Sequence, residues 1–447
     1  MPVNTTHSGY DSRLDKITRV RDFAAGEDVV KSRGEKYLPM LGGQTKNEYN
    51  SFKERGFLIP SVAPTCLAVV GSIMRKDPVL DQSGLDYLVN NVDGEGSDIS
   101  QFSSKLIKEL LLAGGAGYLI EYSQEQQAAF VKQYSVENII NYSDDYIVLA
   151  QSYTVRDEKD KFNEKMETEY LELTFDEEGY YVQNIWRETK KGWVTVDSHT
   201  PTNRGERLSF IPFVPVAVGS IGFHNTDPIL LNLTNINSDQ YKLSTDLRHG
   251  LHFTALPTFF VFGEMVDSDG IQVPLKVGPG SANIIGDTEA RAELLEFTGA
   301  GLSAVKAAID DDITAMASIG AKMLASGSGG VKSAETARIE ASTETATLST
   351  IANTVDLAAN TVFSIVAEWM GAQAPTYAIN RDFIDVKLDP AALMALLKTW
   401  QSGGMSLDSF LTQLQKGELL PDGVTATDEA DRIETTGSNF NTGIDFE

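Results

Sequence analysis

Across residues 345–367 the chain carries one charged residue, Asp356. The stretch sits inside a longer pattern that starts near Ser333-Ala334-Glu335-Thr336 and runs to Met370. Small or apolar residues recur there at four-three intervals: Ala341, Thr345, Leu348, Ala352, Val355, Ala359, Val362, Val366 and Trp369. That period is helical. A solvated helix face normally carries charge, and a helix that is small and neutral all round is covered on several sides. Two arrangements satisfy this: a helical core folded from one chain, or neighbouring subunits covering the second face. The Thr, Ser and Ala content suits close helix approach in a ring.

Two further long helices precede it. Thr226-Asp227-Pro228 is a start signal, with a capping side chain and a proline near the first helical position. The helix is expected to reach Leu251, with Leu230, Leu233, Ile236, Leu243 and Leu247 on one face and Asn, Ser, Thr and Gln on the other. The second helix, residues 302–324, spaces Leu302, Val305, Ile309, Ile313, Met316 and Met323 by threes, fours and one seven. Between the two lies a β-rich insertion, with strand-like pieces at 258–262, 271–277 and 281–285 and a turn at Asp267-Ser268-Asp269-Gly270. A glycine-serine loop, residues 325–332, joins the second helix to the third. After Gly371 a strand at 383–388 leads to two compact helices, started by Asp389-Pro390 and by Ser406. From Pro421 onward the chain is acidic and poor in apolar residues, and partial disorder is expected there.

Upstream, the first thirty residues read as a loosely held arm. Helices are expected at 46–57, at 60–73 (Val62, Leu67, Val70 and Ile73 inward, with Cys66 inside it) and at 100–113. Arg75-Lys76-Asp77-Pro78 stops the second of these. Gly114-Gly115-Ala116-Gly117 reads as a turn, followed by a short strand at 118–122. The period then changes to two, giving an antiparallel meander of strands at 146–155, 169–175, 180–187 and 193–196. The fold class is α+β, mainly helical.

At 447 residues the chain is long enough for two to four domains. Its single cysteine, Cys66, excludes an internal disulfide framework and a Cys-based zinc site. Residues 1–15 hold no apolar run, so no secretory signal is expected. The uncharged stretch 208–226 is broken by Pro212, Pro215, Gly219 and Gly222 and cannot span a bilayer as a helix. Thirty-seven Lys and Arg against 63 Asp and Glu leave a formal charge of −26. Such a surface does not grip DNA phosphates, because that binding is driven by cations displacing counterions.

No reaction emerges from the motifs. Nucleotide hydrolysis needs a glycine-rich loop ending in Gly-Lys-Ser/Thr, and the dipeptide Gly-Lys does not occur. His249 and His252, with Asp246 a turn earlier, have the spacing of metal ligands but lack a third partner nearby. A serine nucleophile would want a Gly-x-Ser-x-Gly elbow, which is also absent. The turn at 267–270 has Met265 and Lys276 where a calcium loop needs its first and last ligands. Asp310, Asp311 and Asp312 lie in mid-helix, where consecutive carboxylates fan out over about 200° and cannot converge on one metal.

The order helix, β-insertion, helix, glycine-serine loop, long helix, strand and small helical cap resembles the portal proteins of tailed bacteriophages. Local stretches carry the resemblance over residues 35–415: Tyr37-Leu38-Pro39, Val70-Gly71-Ser72-Ile73-Met74-Arg75-Lys76-Asp77-Pro78, and 110–122 with its Gly115-x-Gly117-Tyr118-Leu119-Ile120. Further ones are the 134–142 segment from Tyr134 to Tyr142, Ile211-Pro212-Phe213-Val214-Pro215, and Asp246-Leu247-Arg248-His249-Gly250-Leu251-His252 running into Leu256-Pro257.

The resemblance implies a homo-oligomeric ring, usually of twelve subunits, at one capsid vertex of a virion assembled in the host bacterial cytoplasm. Residues 1–225 and 333–388 would form the wing, 226–251 and 298–325 the stem, 252–297 the clip, 326–332 the tunnel loop, and 389–447 the crown and acidic tail. Double-stranded DNA would pass through the channel without sequence recognition. The partners implied are a terminase motor, head–tail adaptors, and major capsid and scaffolding proteins, with no membrane, no cofactor and no enzymatic activity. Asp310, Asp311 and Asp312 would line the channel with negative charge. The loop residues Ser326, Gly327, Ser328, Gly329, Gly330, Val331 and Lys332, with Lys322 before them, would face the DNA. The alternatives are another ring-forming head–tail connector component and a soluble helical enzyme.

Overall fold

The structure, a computed structural model, describes residues 2–81, 84–156, 162–255, 258–262, 271, 291–295, 299, 301–324, 334–381, 383, 390–416, 419–421 and 424–436. The chain divides into two units, residues 1–325 with 342–380, and residues 326–341 with 381–447. Among the described residues, 48% are helical and 23% in strands, an α+β composition that is mainly helical.

The first unit opens with helices α1 (Tyr10–Ala25) and α2 (Glu27–Ser32), where a loose arm was expected. Ile17, Val20 and Phe23 of α1 are buried, a short apolar stripe diluted by charged neighbours. Two of those charges tie α1 down. Arg21 bonds both Glu137 and Glu109, the latter at 2.7 Å. Asp22, 4% exposed, accepts two bonds from Arg33 at 2.8 Å each and one from the Tyr37 hydroxyl at 2.7 Å. Helix α3 (Lys46–Arg55) begins with a capping box in which Thr45 and Glu48 exchange bonds. Helix α4 (Val62–Ile73) buries Val62, Cys66, Val69, Val70 and Ile73. Leu67, expected inside, is 61% exposed, because the inward stripe passes through Cys66 and Val69 on either side of it.

Strand β1 (Val79–Asp81) and helix α5 (Ile99–Leu112) follow. Strands β2 (Gly115–Ser123), β3 (Ala128–Ser135) and β4 (Ile139–Tyr142) come next; the last two escaped the sequence pattern. Of the glycine run only Gly114 turns (φ 77°); the rest lies in β2. A Cβ on Gly117 would collide with the ring of Phe213 and the Ile139 side chain, so this position needs glycine for close packing. The expected meander is present as β5 (Ile147–Arg156), β6 (Glu164–Phe175), β7 (Tyr181–Thr189) and β8 (Gly192–His199), in the antiparallel order β4-β5-β6-β7-β8. A small hairpin of β9 (Thr202–Asn203) and β10 (Glu206–Arg207) leads to β11 (Phe213–Ala217) and β12 (Ser220–Ile221). These last two complete a second sheet ordered β12-β11-β2-β3.

Helix α6 (Leu231–Ala255), an antiparallel pair of β13 (Thr258–Phe262) and β14 (Arg291–Leu295), helix α7 (Leu302–Leu324) and helix α8 (Ala334–Met370) follow in the expected order. The expected pieces at 271–277 and 281–285 lie, apart from Ile271, outside the described residues.

Within the first unit α8 buries a wide face. Leu348, Ile351, Ala352, Val355, Ala358, Ala359, Val362, Phe363, Val366, Ala367 and Trp369 are at most 4% exposed. Ala346, Thr350, Asn353, Leu357 and Ser364 form a narrower stripe that stays exposed and carries no charge until Glu368, one turn after Ser364. The lone charge, Asp356, accepts a bond from the Ile379 N–H at 2.7 Å. One turn on, the Asn360 amide donates to the Tyr377 carbonyl and accepts from the Tyr377 N–H, both at 2.9 Å. These bonds lay strand β15 (Thr376–Ala378) along the helix, where it also pairs with β1. Strand β15 lies ahead of the 383–388 segment expected from sequence, which apart from Phe383 lies outside the described residues.

The C-terminus of α8 is closed by two bonds, Ala372 N–H to Ala367 carbonyl (2.9 Å) and Gly371 N–H to Glu368 carbonyl (3.2 Å). With Gly371 at φ 61° this is a Schellman motif. Arg204 reaches across Gly371 to the Met370 carbonyl at 2.8 Å, placing a cation at the negative helix end.

In the second unit, helices α9 (Pro390–Gln401) and α10 (Leu407–Lys416) start where expected, with Trp400 stacked on Phe410 at 4.9 Å. The acidic segment after Pro421 is not without structure: α11 (Ala426–Thr436) is helical, its start fixed by Thr425 bonding Asp428.

Replacing Asn360 by Leu leaves both Tyr377 backbone groups unpaired, and should cost about 1–3 kcal/mol in urea denaturation. Ser364→Ala on the exposed stripe should stay within about 0.5 kcal/mol.

Candidate functional site

The resemblance directs attention to α6, α7 and their surroundings. On α6 the polar face is the buried one. Thr234, Asn237, Gln240 and Thr245 are fully buried, and Ser238 and Ser244 nearly so. Thr234 and Thr245 bond back to their own helix, at the Leu230 and Tyr241 carbonyls, while Asn237, Gln240 and Ser244 meet the backbone of the extended link between α3 and α4. Gln240 accepts from the Ile59 N–H (3.1 Å) and donates to the Phe57 carbonyl (3.2 Å). Asn237 donates to the Ile59 carbonyl (3.0 Å) and accepts from the Ser61 hydroxyl (2.9 Å). Ser244 donates to the Phe57 carbonyl at 2.5 Å. Glu27 takes the Leu58 N–H at 3.0 Å, and that bond together with Lys31 holds its carboxyl below the usual range, against the opposing pull of burial.

Helix α7 packs on α6 and α4. Its inward stripe includes Ile309, Asp312, Met316 and Gly320; Asp310, Asp311, Ile313 and Thr314 face outward. The three consecutive carboxylates therefore do not share one surface. Asp310 and Asp311 are exposed, whereas the Asp312 Oδ2 atom is out of contact with solvent and has no hydrogen-bond partner. Lys322 lies on α7, in a part whose side chains are not described, and Ser326, Gly327, Ser328, Gly329, Gly330, Val331 and Lys332 lie outside the described residues.

His249 packs edge-on against Phe52 and lies 3.5 Å from an Arg55 nitrogen. Burial first, then Arg55 and His252, push its pKa down, with Asp246 pulling the other way. Among the described residues no group of three or more His, Cys, Asp or Glu is placed to hold a metal. A groove of about 610 Å³ beside α5 and β3 is lined by Lys105, Lys108, Glu109, Glu121, Lys132 and Ser135. Glu109 is tied to Arg21, and Lys105 to Ser97 at 2.9 Å. A neighbouring hollow of about 440 Å³ is lined by Asp93, Glu121, Tyr122, Gln126, His199 and Trp369. No hydroxyl or thiol bonds His199 among the described residues, so a nucleophile–base pair is not assembled there.

Residues 229–370, less than half the chain, match the model of a domain of unknown function (DUF4055). The search of curated proteins found no match. Among solved structures the chain is similar to one from the "Virion of native gene transfer agent (GTA) particle". Identity is 10% and the TM-score 0.41, with 88% of this chain and 99% of that chain covered. A chain from the "Neck of empty GTA particle computed with C6 symmetry" is 11% identical with a TM-score of 0.40, covering 85% of this chain and 95% of that one. A third, from the "Neck of native GTA particle computed with C12 symmetry", is 14% identical with a TM-score of 0.36, covering 83% and 93%.

The α6 ladder generates a direct test of its weight. Gln240→Leu strands the Ile59 N–H, while Ser244 still serves the Phe57 carbonyl, and should lower unfolding stability by about 1–3 kcal/mol. Asn232→Ala on the exposed side of α6 should change it by less than about 0.5 kcal/mol, both read from denaturant midpoints.

Proposed function

We propose that this chain is a portal protein. It forms a ring at one capsid vertex, a conduit for double-stranded DNA in packaging and ejection, and a docking platform for terminase and head–tail adaptors. The sequence resemblance supports this reading, together with the order α6, β13–β14, α7, glycine-serine loop, α8. The observation that carries it furthest is on α8. A single chain covers one wide face of that helix and leaves a second, uncharged stripe (Ala346, Thr350, Asn353, Leu357, Ser364) to be covered by a neighbouring copy.

In this reading the chain does no chemistry of its own; ATP hydrolysis belongs to the separate terminase. Its charge of −26 suits a sleeve rather than a grip. Attachment of DNA through several Lys or Arg would bind it at ~10⁻⁴ to 10⁻⁶ M and brake its passage. Asp310 and Asp311, on the exposed face of α7, are the carboxylates placed to repel it, and Lys322 and Lys332 would make the few contacts at the constriction.

Mass measurement and electron micrographs of the purified chain should show closed rings. A monomer at every concentration would sink the proposal. Leu357, 47% exposed, is the most apolar point of the stripe. Leu357→Glu should abolish rings while the circular dichroism and melting of the monomer stay as in wild type. If Lys332→Glu packages and retains DNA like wild type, the role given to that lysine is wrong.

A further inference from the structure

We infer that Asp312 makes the seam between α6 and α7 proton-sensitive: the two helices hold each other less firmly while its carboxylate is ionised and close when it takes up a proton. The inference stands on the packing of the first unit and is independent of the ring proposed above.

Asp312 sits on the inward stripe of α7 between Ile309, 8% exposed, and Met316, 5% exposed. Its Oδ2 atom is withdrawn from water and accepts no hydrogen bond. An ionised carboxylate is an acceptor only, so in this position its second oxygen loses hydration and gains nothing in exchange. The groups around it make the charge harder to hold. From α6 the facing ionisable group is Asp239, and along α7 it is Asp311. The nearby cation, Lys242, is committed to Asp239 at 3.0 Å. Helix α4, which packs on α7 as well, carries no ionisable group except the Cys66 thiol. Protonation removes one of the like charges and the need of the orphaned oxygen for a donor.

Burial, then Asp239 and then Asp311, push the Asp312 carboxyl above the ordinary aspartate range. A carboxyl whose folded value exceeds its unfolded one binds more protons in the folded state within the window between the two. Its destabilisation is complete above the folded value and fades as the pH falls through it, so the seam tightens on acidification.

Amide hydrogen exchange of α6 and α7 in the full chain, corrected for intrinsic rates, tests this at neutral and mildly acidic pH. In wild type the seam amides should exchange roughly threefold or more slowly on the acidic side. The isosteric Asp312→Asn should show the slow rate already at neutral pH and no further change on acidification. Asp239→Asn should recover part of that protection, and Asp310→Asn, on the exposed face, should behave as wild type. A wild-type seam whose corrected rates do not respond to pH would overturn the inference. So would an Asp312→Asn chain that keeps the wild-type pH response.

Discussion

An extended segment running across a helical layer brings an unpaired N–H and carbonyl with every residue, and none can be left dry without cost. Two long helices of this protein resolve that problem with side chains. On α6, Asn237, Gln240 and Ser244 serve the backbone of residues 57–61. On α8, Asp356 and Asn360 serve residues 377–379, and Thr354 accepts from the Gly219 N–H at 2.8 Å. The neutral amide and hydroxyl content of these helices follows from that duty. An amide offers a donor and an acceptor side by side, as a neighbouring strand would, and Asp356 stands where a lone N–H, that of Ile379, needs an acceptor.

Charge is used elsewhere, and sparingly. Arg21 joins α1 to α5 through Glu109 and to the turn before β4 through Glu137. Burial alone would raise the Glu109 carboxyl, and Arg21 works against it. Asp22 gathers Arg33 and Tyr37 around one buried carboxylate. Both clusters sit on α1 and fix the start of the chain onto the layer built by the later helices. They satisfy every oxygen they bury, in contrast to Asp312, whose second oxygen has been left with none.

The long helices were legible in the sequence because their apolar period persists over five or more turns. The meander was legible because its turns are marked by Asp, Glu and Gly. Helix α1 was hidden, since Ile17, Val20 and Phe23 are the few inward residues among seven charged ones. Strand β2 was half hidden: glycines at 115 and 117 read as a turn, and only the approach of Phe213 shows why they belong in a sheet. The direction of the α6 polar face could not be read at all. Its partner is main chain about 180 residues away in sequence, and main chain leaves no signature in side-chain pattern. For the same reason the three adjacent aspartates looked equivalent until the position of α6 separated Asp312 from its neighbours.

The bonds of the α6 ladder to residues 57 and 59 fall on main chain. Over many generations, substitutions at Phe57 and Ile59, neither fully buried, can accumulate without loosening the hold, so long as each keeps its N–H. Proline is the one residue this register forbids at 57, 58 and 59, where Ser244, Glu27 and Gln240 wait for a donor. At position 60, where no acceptor waits, the chain already carries one.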